Sequence, residues 1–505
     1  MKHWKLASST AAIAILAGTG AFADVTPEEV WQNWQDMSTS AGQTVTSVSA
    51  ERDGDTLVVS GVAITYEKDG TAFTSNIEQI DFTDNGDGTV DVTTSDATTM
   101  TLKAPAVEGV DGGKPTDLKI TLTQPEMVVT ASGTVDALSY EFEAPTLSLK
   151  VEPATAGGEA DGSFTADVTQ LSGSYLVEGE AAAKTITSDF TAAKVALTGV
   201  GKDTSTKTDV NFSATIADLA GSSNGTFLGA AEMADLGKAL KDGFAVNGSF
   251  SHGAMTFALD VMEDTKPTKI AGTSEAGDIS FAMDATHLQY GGTGKALAVT
   301  IASADIPFPE LKVGYQEAAF NMAIPVGKTD APADFALLTK LVGFTVSDEV
   351  WGMVDPAGNL PHDPATVIID TKGKVTLTTD LFDEAAMAAL GEAPPGELNA
   401  LDVTELKASV AGAELTGAGA FTFDNTDKTT FPGMPLPTGK LDLKLTGGNT
   451  LLDKLVAMGL LPQDQAMGFK MMVSMFANSA ADKDEMTSTL EFKDKGFYAN
   501  GQKLQ

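Results

Sequence analysis

Hydrophobic residues recur at every second position along much of this chain, and that period constrains its fold more than any other feature. Leu57, Val59 and Gly61 lead to Val62, Ile64 and Tyr66, and the same spacing returns at Leu118, Ile120, Leu122 and at Leu138, Tyr140, Phe142. It continues through Leu147, Leu149, Val151, then Val210, Phe212, Ala214, Ile216, then Met255, Phe257, Leu259, Val261. Thr, Ser, Asp, Glu and Lys fill the alternate places, as Lys119 and Thr121 do. Successive side chains of a strand point to opposite faces, so the pattern describes antiparallel strands with one dry and one wet face. Asp69-Gly70, Asp111-Gly112-Gly113, Asp161-Gly162 and Asn247-Gly248 read as the turns between them. The span 46–300 is therefore expected to be an antiparallel β region, interrupted by one helix near Phe227 to Leu240.

The N-terminus has a different grammar. Lys2 and Lys5 precede an apolar stretch around Ala11 to Ala17, and Ala21 and Ala23 form an A-x-A site before Asp24. That order marks residues 1–23 as a secretory signal peptide with cleavage ahead of Asp24. Gly18 and Gly20 break the stretch, which falls short of the ~20 apolar residues of a membrane span. After cleavage no integral span is expected, and the protein is placed in the periplasm; onward secretion, or tethering by an uncleaved leader, are the alternatives. Residues 24–45 carry an amphipathic helix. Thr26, Pro27 and Glu29 make its capping box, and Val30, Trp31, Trp34 and Met37 follow at helical spacing, expected to dock it on its own domain.

Residues 301–505 read as an α+β region with an internal duplication, 306–380 and 434–505. Ile306-Pro307-Phe308-Pro309 is echoed by Met434-Pro435-Leu436-Pro437, and each is followed by a strand, Phe320 to Ile324 or Leu441 to Leu445. Leu337 to Val342 then matches Leu451 to Val456 as a helix-like segment, with a second helix near Trp351 or Met467. Each copy ends in a hairpin: Val367 to Leu377 turning at Lys372-Gly373, and Leu490 to Asn500 turning at Lys495-Gly496. The expected class is mainly β with an α+β C-terminal half: elongated antiparallel sheets, few short helices, and an open apolar groove where nothing covers the dry faces.

Charge and chemistry narrow the function. Formal net charge is −37 over 505 residues, becoming −39 once Lys2 and Lys5 leave with the leader, and Arg52 is the single arginine. Phosphate recognition needs the opposite sign, so nucleic acid is excluded as a partner. The absence of Cys removes disulfides and a lipid-modified cysteine. His252, His287 and His362 have no partners at metal-ligand spacing, so no metal site and no cofactor are expected. His362 with Asp355 and Asp363 has acid–base chemistry but no activated nucleophile beside it, and no catalytic residue is assigned. Asp84 to Asp91 resembles a calcium loop, yet Thr83 and Thr94 fall where acidic ligands belong, and a hairpin turn joining Ile80-Phe82 to Val90-Val92 explains the same residues. Met467, Met471, Met472 and Met475, with Phe469 and Phe476, are expected on the core-facing side of a helix.

Val30-Trp31-Gln32-Asn33-Trp34, Ile306-Pro307-Phe308-Pro309, Ser347-Asp348-Glu349-Val350-Trp351 and Leu360-Pro361-His362-Asp363-Pro364-Ala365-Thr366 resemble the alphaproteobacterial domain-of-unknown-function family numbered 2125. The resemblance brings no activity and no functional residues. The general look is similar to exported β-rich proteins of the AsmA-like and YdgA-like kind, which implies envelope and lipid homeostasis by fold analogy. The reading of the whole is a noncatalytic exported envelope protein that binds or shields lipid, or another apolar ligand, in a β-sheet groove. Two other readings stand beside it: a structural or protein-interaction factor of the periplasm with closed β domains and an envelope protein as partner, and an exported hydrolase built on His362.

Overall fold

A computed structural model describes residues 25–40, 42–105, 116–154, 160–179, 183–228, 233, 235–480 and 483–505. Its 27 strands join one antiparallel sheet among the described residues. The sheet is largely an up-and-down meander in which the long strands pair with their neighbours in the chain. Ala137–Pro153, Ala160–Glu178, Ala183–Asp203 and Thr208–Leu228 follow one another in this way. Shorter strands are halves of such rungs: Ala245–His252 and Met255–Glu263 lie end to end along Thr208–Leu228. The mainly β, antiparallel expectation holds. The ladder passes residue 300 without a break, because His287–Ser303 pairs with Leu311–Pro325.

Six helices punctuate the described residues: α1 (Pro27–Ser40), α2 (Leu236–Lys241), α3 (Asp348–Val354), α4 (Glu384–Leu390), α5 (Gly448–Ala457) and α6 (Gln463–Phe476). The capping box of α1 forms as expected. Thr26 N donates to Glu29 Oε2 at 2.9 Å, and Glu29 N donates to Thr26 Oγ1 at 3.3 Å. The helix expected near Phe227 to Leu240 is the short α2, begun by Asp235, whose carboxylate accepts from Lys238 N.

A phase slip organises the sheet. Within several long strands the apolar positions change from even to odd, or odd to even, near the middle, and a residue that the ladder skips stands at the change. Phe164, Ala166 and Val168 give way to Leu171, Gly173 and Tyr175 around Gln170, whose φ is 52°. Val210 to Ile216 give way to Leu219 and Gly221 around Asp218 (φ 51°), and Tyr290 gives way to Leu297 and Val299 around Ala296 (φ 50°). The ladder skips these residues: Thr169 pairs with Lys194 and Leu171 with Ala192. On the next strand Lys194 pairs with Ala217 and Ala192 with Leu219, so the skipped residues Gln170, Ala193 and Asp218 lie side by side and the register is unchanged. A left-handed residue costs roughly 1–2 kcal/mol outside glycine, but it keeps both halves of the strand dry on one side. Aligned, the skipped residues mark a crease, the line across the sheet where the alternation changes phase, with an apolar arm on each side.

Several local expectations are corrected. Leu337 to Val342 belongs to the strand Ala333–Val346, while its proposed counterpart Leu451 to Val456 is the helix α5. The first segment has strands on both sides to complete its ladder, and that tertiary setting overrides a helix-like composition. The second follows Gly447 (φ 70°), which ends the preceding strand. Lys372-Gly373 is not a turn, because Ala365–Leu377 runs straight through it; a Cβ on Gly373 would stand 2.7 Å from Phe335 Cε1. Asn247-Gly248 and Asp161-Gly162 likewise lie inside strands. Asp69-Gly70 is a turn, with both φ values positive, and so is the Lys495 hairpin, centred on Asp494 and Lys495. Asp111-Gly112-Gly113 and the leader residues Ala21, Ala23 and Asp24 lie outside the described residues.

Candidate functional site: an apolar face without a cover

Register places one line of side chains along the dry face of the first arm. It runs from Leu57 through Phe82, Val92 and Phe142 to Phe190, then through Phe250, Ile279, Phe320 and Ile369 to Leu443. At ~4.8 Å per strand the line is on the order of 80 Å long. Beyond the crease a second line passes Ile64, Met100, Ile120, Val151, Phe164, Phe212, Leu259 and Ile301.

Glycines keep the floor low. A Cβ on Gly221 would stand 2.2 Å from Phe190 Cε1, and one on Gly272 2.4 Å from Phe257 Cζ. The rings therefore lie over the neighbouring strand in the space that a side chain would fill.

Cover lies in two patches: α2, with Phe244, packs against Leu228, Val246 and Met283, and the larger patch is at one end of the line. There α1 lays Val30 and Trp31 on the sheet, and Val59, Phe82 and Tyr140 beneath it are 0% exposed. Trp31 and Trp34 hold the Phe82 ring at centroid distances of 5.8 and 5.5 Å. Tyr140 Oη donates to Asn33 Oδ1 at 2.7 Å, and Arg52 forms an ion pair with Glu28. Further along the same line, Phe250 is 36% exposed, Phe320 41%, Ile369 46% and Ile279 47%. Among the described residues no helix or second layer buries these four side chains. The opposite face is dressed in polar pairs such as Ser148 with Asp167, Ser174 with Asp189, and Ser222 with Ser249.

Tyr140 and Tyr175 stack at 4.7 Å where the covered floor gives way to the open one. Burial pushes the Tyr175 hydroxyl up to about 12, and burial with the neighbouring Tyr175 raises Tyr140 as well. The folded state then keeps protons that unfolded tyrosine releases near pH ~10. Stability from this pair is full below pH ~10 and falls as pH rises from there through 12. An absorbance titration should show these two hydroxyls ionising after the others, together with unfolding. Their ionisation near pH ~10 in the folded protein would contradict the burial.

The other candidates resolve into structural roles or stay apart. Asp84 and Asp87 accept from Gly86 N and Thr89 N in the turn that joins two strands. No group of three His, Cys, Asp or Glu side chains among the described residues is placed to hold a metal ion. Asp355 is buried; burial opposes its charge, but bonds from the Leu360 and Asn359 backbone and the Asn359 side chain hold the carboxyl below its usual range. The His362 ring stacks on Trp351 at 4.3 Å, and Asp363 is exposed. A cleft of about 750 Å³ at the strand ends is lined by ion-paired groups, Lys150 with Glu152 and Lys202 with Asp209 among them. The Met-rich helix departs from expectation. Met467, Met471, Met472 and Met475 of α6 face outward, and Ala466 is its one buried residue. No described helix is long and apolar enough to cross a membrane.

The described residues thus form a single-layer antiparallel sheet whose apolar face is covered by α1 at one end, locally by α2, and is otherwise partly exposed. Residues 249–501, half of the chain, match the family described as an uncharacterized protein conserved in bacteria, DUF2125, and the chain belongs to that family. The match takes in Ile306 to Pro309, Ser347 to Trp351 and Leu360 to Thr366, and begins after the Val30 to Trp34 segment. No curated protein and no solved structure matches the chain.

Proposed function

We propose that this is an exported, noncatalytic envelope protein whose open apolar face binds the acyl chains of lipids. The uncovered line from Phe190 to Leu443 carries this reading. Burial of one Leu, Ile or Phe side chain is worth about 1.5–3 kcal/mol, and apolar patches beyond a few hundred Å² mark interaction surfaces. A face of this extent calls for a guest. Flexible hydrocarbon suits it because the floor along this line is low and, apart from Thr339, apolar. Export rests on the leader reading of Lys2, Lys5, Ala21 and Ala23.

Protein purified from bacterial envelopes without detergent should carry phospholipid that organic extraction and mass spectrometry identify. Phe250→Asp with Phe320→Asp should remove most of it. Repeated absence of lipid from the unmodified protein would refute the proposal. One observation favours a second reading: α1 already lies on this face, so an amphipathic helix fits it. Crosslinks from Phe250 to a partner protein rather than to lipid would support that reading.

A further inference from the structure

We propose that His252 and Tyr315 form a polar anchor in the open face, which selects a lipid chain bearing a hydroxyl group. The inference rests on the groove reading and deepens it by naming the guest that the face prefers.

The anchor lies at the crease, between the two apolar lines. His252 follows Phe250 on the dry side of its strand, with ring centroids 6.5 Å apart. Its cross-strand partner is Gly277, and a Cβ there would stand 2.5 Å from His252 Nε2. Gly277 in turn pairs with Gly294, and a Cβ on Gly294 would stand 3.0 Å from Tyr315 Oη. Two paired glycines thus leave room for two polar tips. Cβ positions opposed across a pair lie ~4.5–5.5 Å apart, so the imidazole edge and the phenol hydroxyl converge over one spot on the floor. Both residues are half-buried. Neither Nε2 nor Oη has a hydrogen-bond partner among the described residues.

Proton placement defines what the anchor takes. His252 Nδ1 lies 2.8 Å from the Gly253 carbonyl oxygen, which can only accept, so Nδ1 carries the ring proton. A neutral imidazole held this way turns the Nε2 lone pair to the groove. Tyr315 Oη both donates and accepts. The complement is a group that gives one hydrogen bond and receives another: an alcohol hydroxyl set between Nε2 and Oη. A carboxylate or phosphate monoester oxygen without a proton has nothing to give Nε2, and the net charge of −37 opposes anions as well. Solvent satisfies both tips when the groove is empty. A plain alkyl chain laid over them strips that solvent and leaves two polar groups unpaired, whereas a hydroxyl at this point restores both bonds. A site made to hydrogen-bond a hydroxyl discriminates strongly against the analogue that lacks it. The hydroxyl belongs either to the chain itself or to a glycerol head at its end, and the test separates these sources.

The delipidated mature protein is offered an equimolar mixture of methyl oleate, methyl ricinoleate, monooleoylglycerol and free oleate, and the bound lipid is quantified by mass spectrometry. Methyl ricinoleate carries its hydroxyl on the chain and monooleoylglycerol on the head. At least one of the two should be enriched ~tenfold over methyl oleate, which corresponds to about 1.4 kcal/mol, and the one enriched identifies the source. Tyr315→Phe, which removes one oxygen, and His252→Phe should each reduce the enrichment below ~threefold while the total lipid bound stays the same. Bound lipid without hydroxyl preference would overturn the inference and leave the groove reading standing; no bound lipid would end both. A preference that survives both substitutions, or enrichment of free oleate over its methyl ester, would also overturn it.

Discussion

Phe82→Ala is expected to lower stability by about 3–5 kcal/mol, as large-to-small changes in a packed core do, while Phe250→Ala should cost about 1 kcal/mol or less. The two phenylalanines lie on one register line of one sheet, so strand geometry and residue type are matched. They differ in what stands above them. Phe82 is 0% exposed beneath Trp31 and Trp34, and its removal leaves a cavity under α1. Phe250 has a neighbouring ring, Phe190, at 6.4 Å and water above. Denaturant unfolding of delipidated protein measures both. Equal costs would mean that something covers Phe250.

Deletion of Gln170 should be nearly as damaging, although the residue is polar and in a left-handed conformation. Without it the far half of Ala160–Glu178 continues in the phase of the near half. Leu171, Tyr175 and Val177 then turn to the wet face, and Ser172 and Ser174 turn to the dry one. Exposing side chains of this size costs on the order of 3 kcal/mol or more in total. Gln170→Gly, which keeps the extra residue and relieves its left-handed strain, should instead be neutral or stabilising by up to ~1 kcal/mol. A mild deletion, or a glycine variant as damaging as the deletion, would deny the crease its role.

The alternation at Leu118 to Leu122 or Val210 to Ile216 is enough to read strands, because a half-dry strand has one period and a helix another. The capping box of α1 was equally legible, since its partners lie three residues apart. What escaped depends on distant parts of the chain. The phase slip is visible at Gly61, between Val59 and Val62, but elsewhere it falls on Gln170, Asp218 or Ala296, which carry no signal of a left-handed conformation. Only the ladder, which sets the skipped residues side by side, turns isolated slips into a crease. Glycine misled for a related reason. Gly373 and Gly248 make room for a neighbouring strand rather than a turn, and one chain segment cannot reveal its neighbour. The methionines of α6 keep helical spacing whether they face a core or solvent, and the structure sets them outward.

Alternation alone also leaves open whether the dry faces meet one another or a guest. In the structure the continuous cover ends with α1 and the Tyr140–Tyr175 stack, and beyond it α2 packs only on Leu228, Val246 and Met283. A photoreactive benzophenone amino acid at Ile279, in the middle of the uncovered line, addresses this directly. Irradiated in growing cells, the protein should gain the mass of a lipid carrying acyl chains. Adducts only to its own peptides, or no adduct at all, would contradict an apolar face that holds a lipid guest.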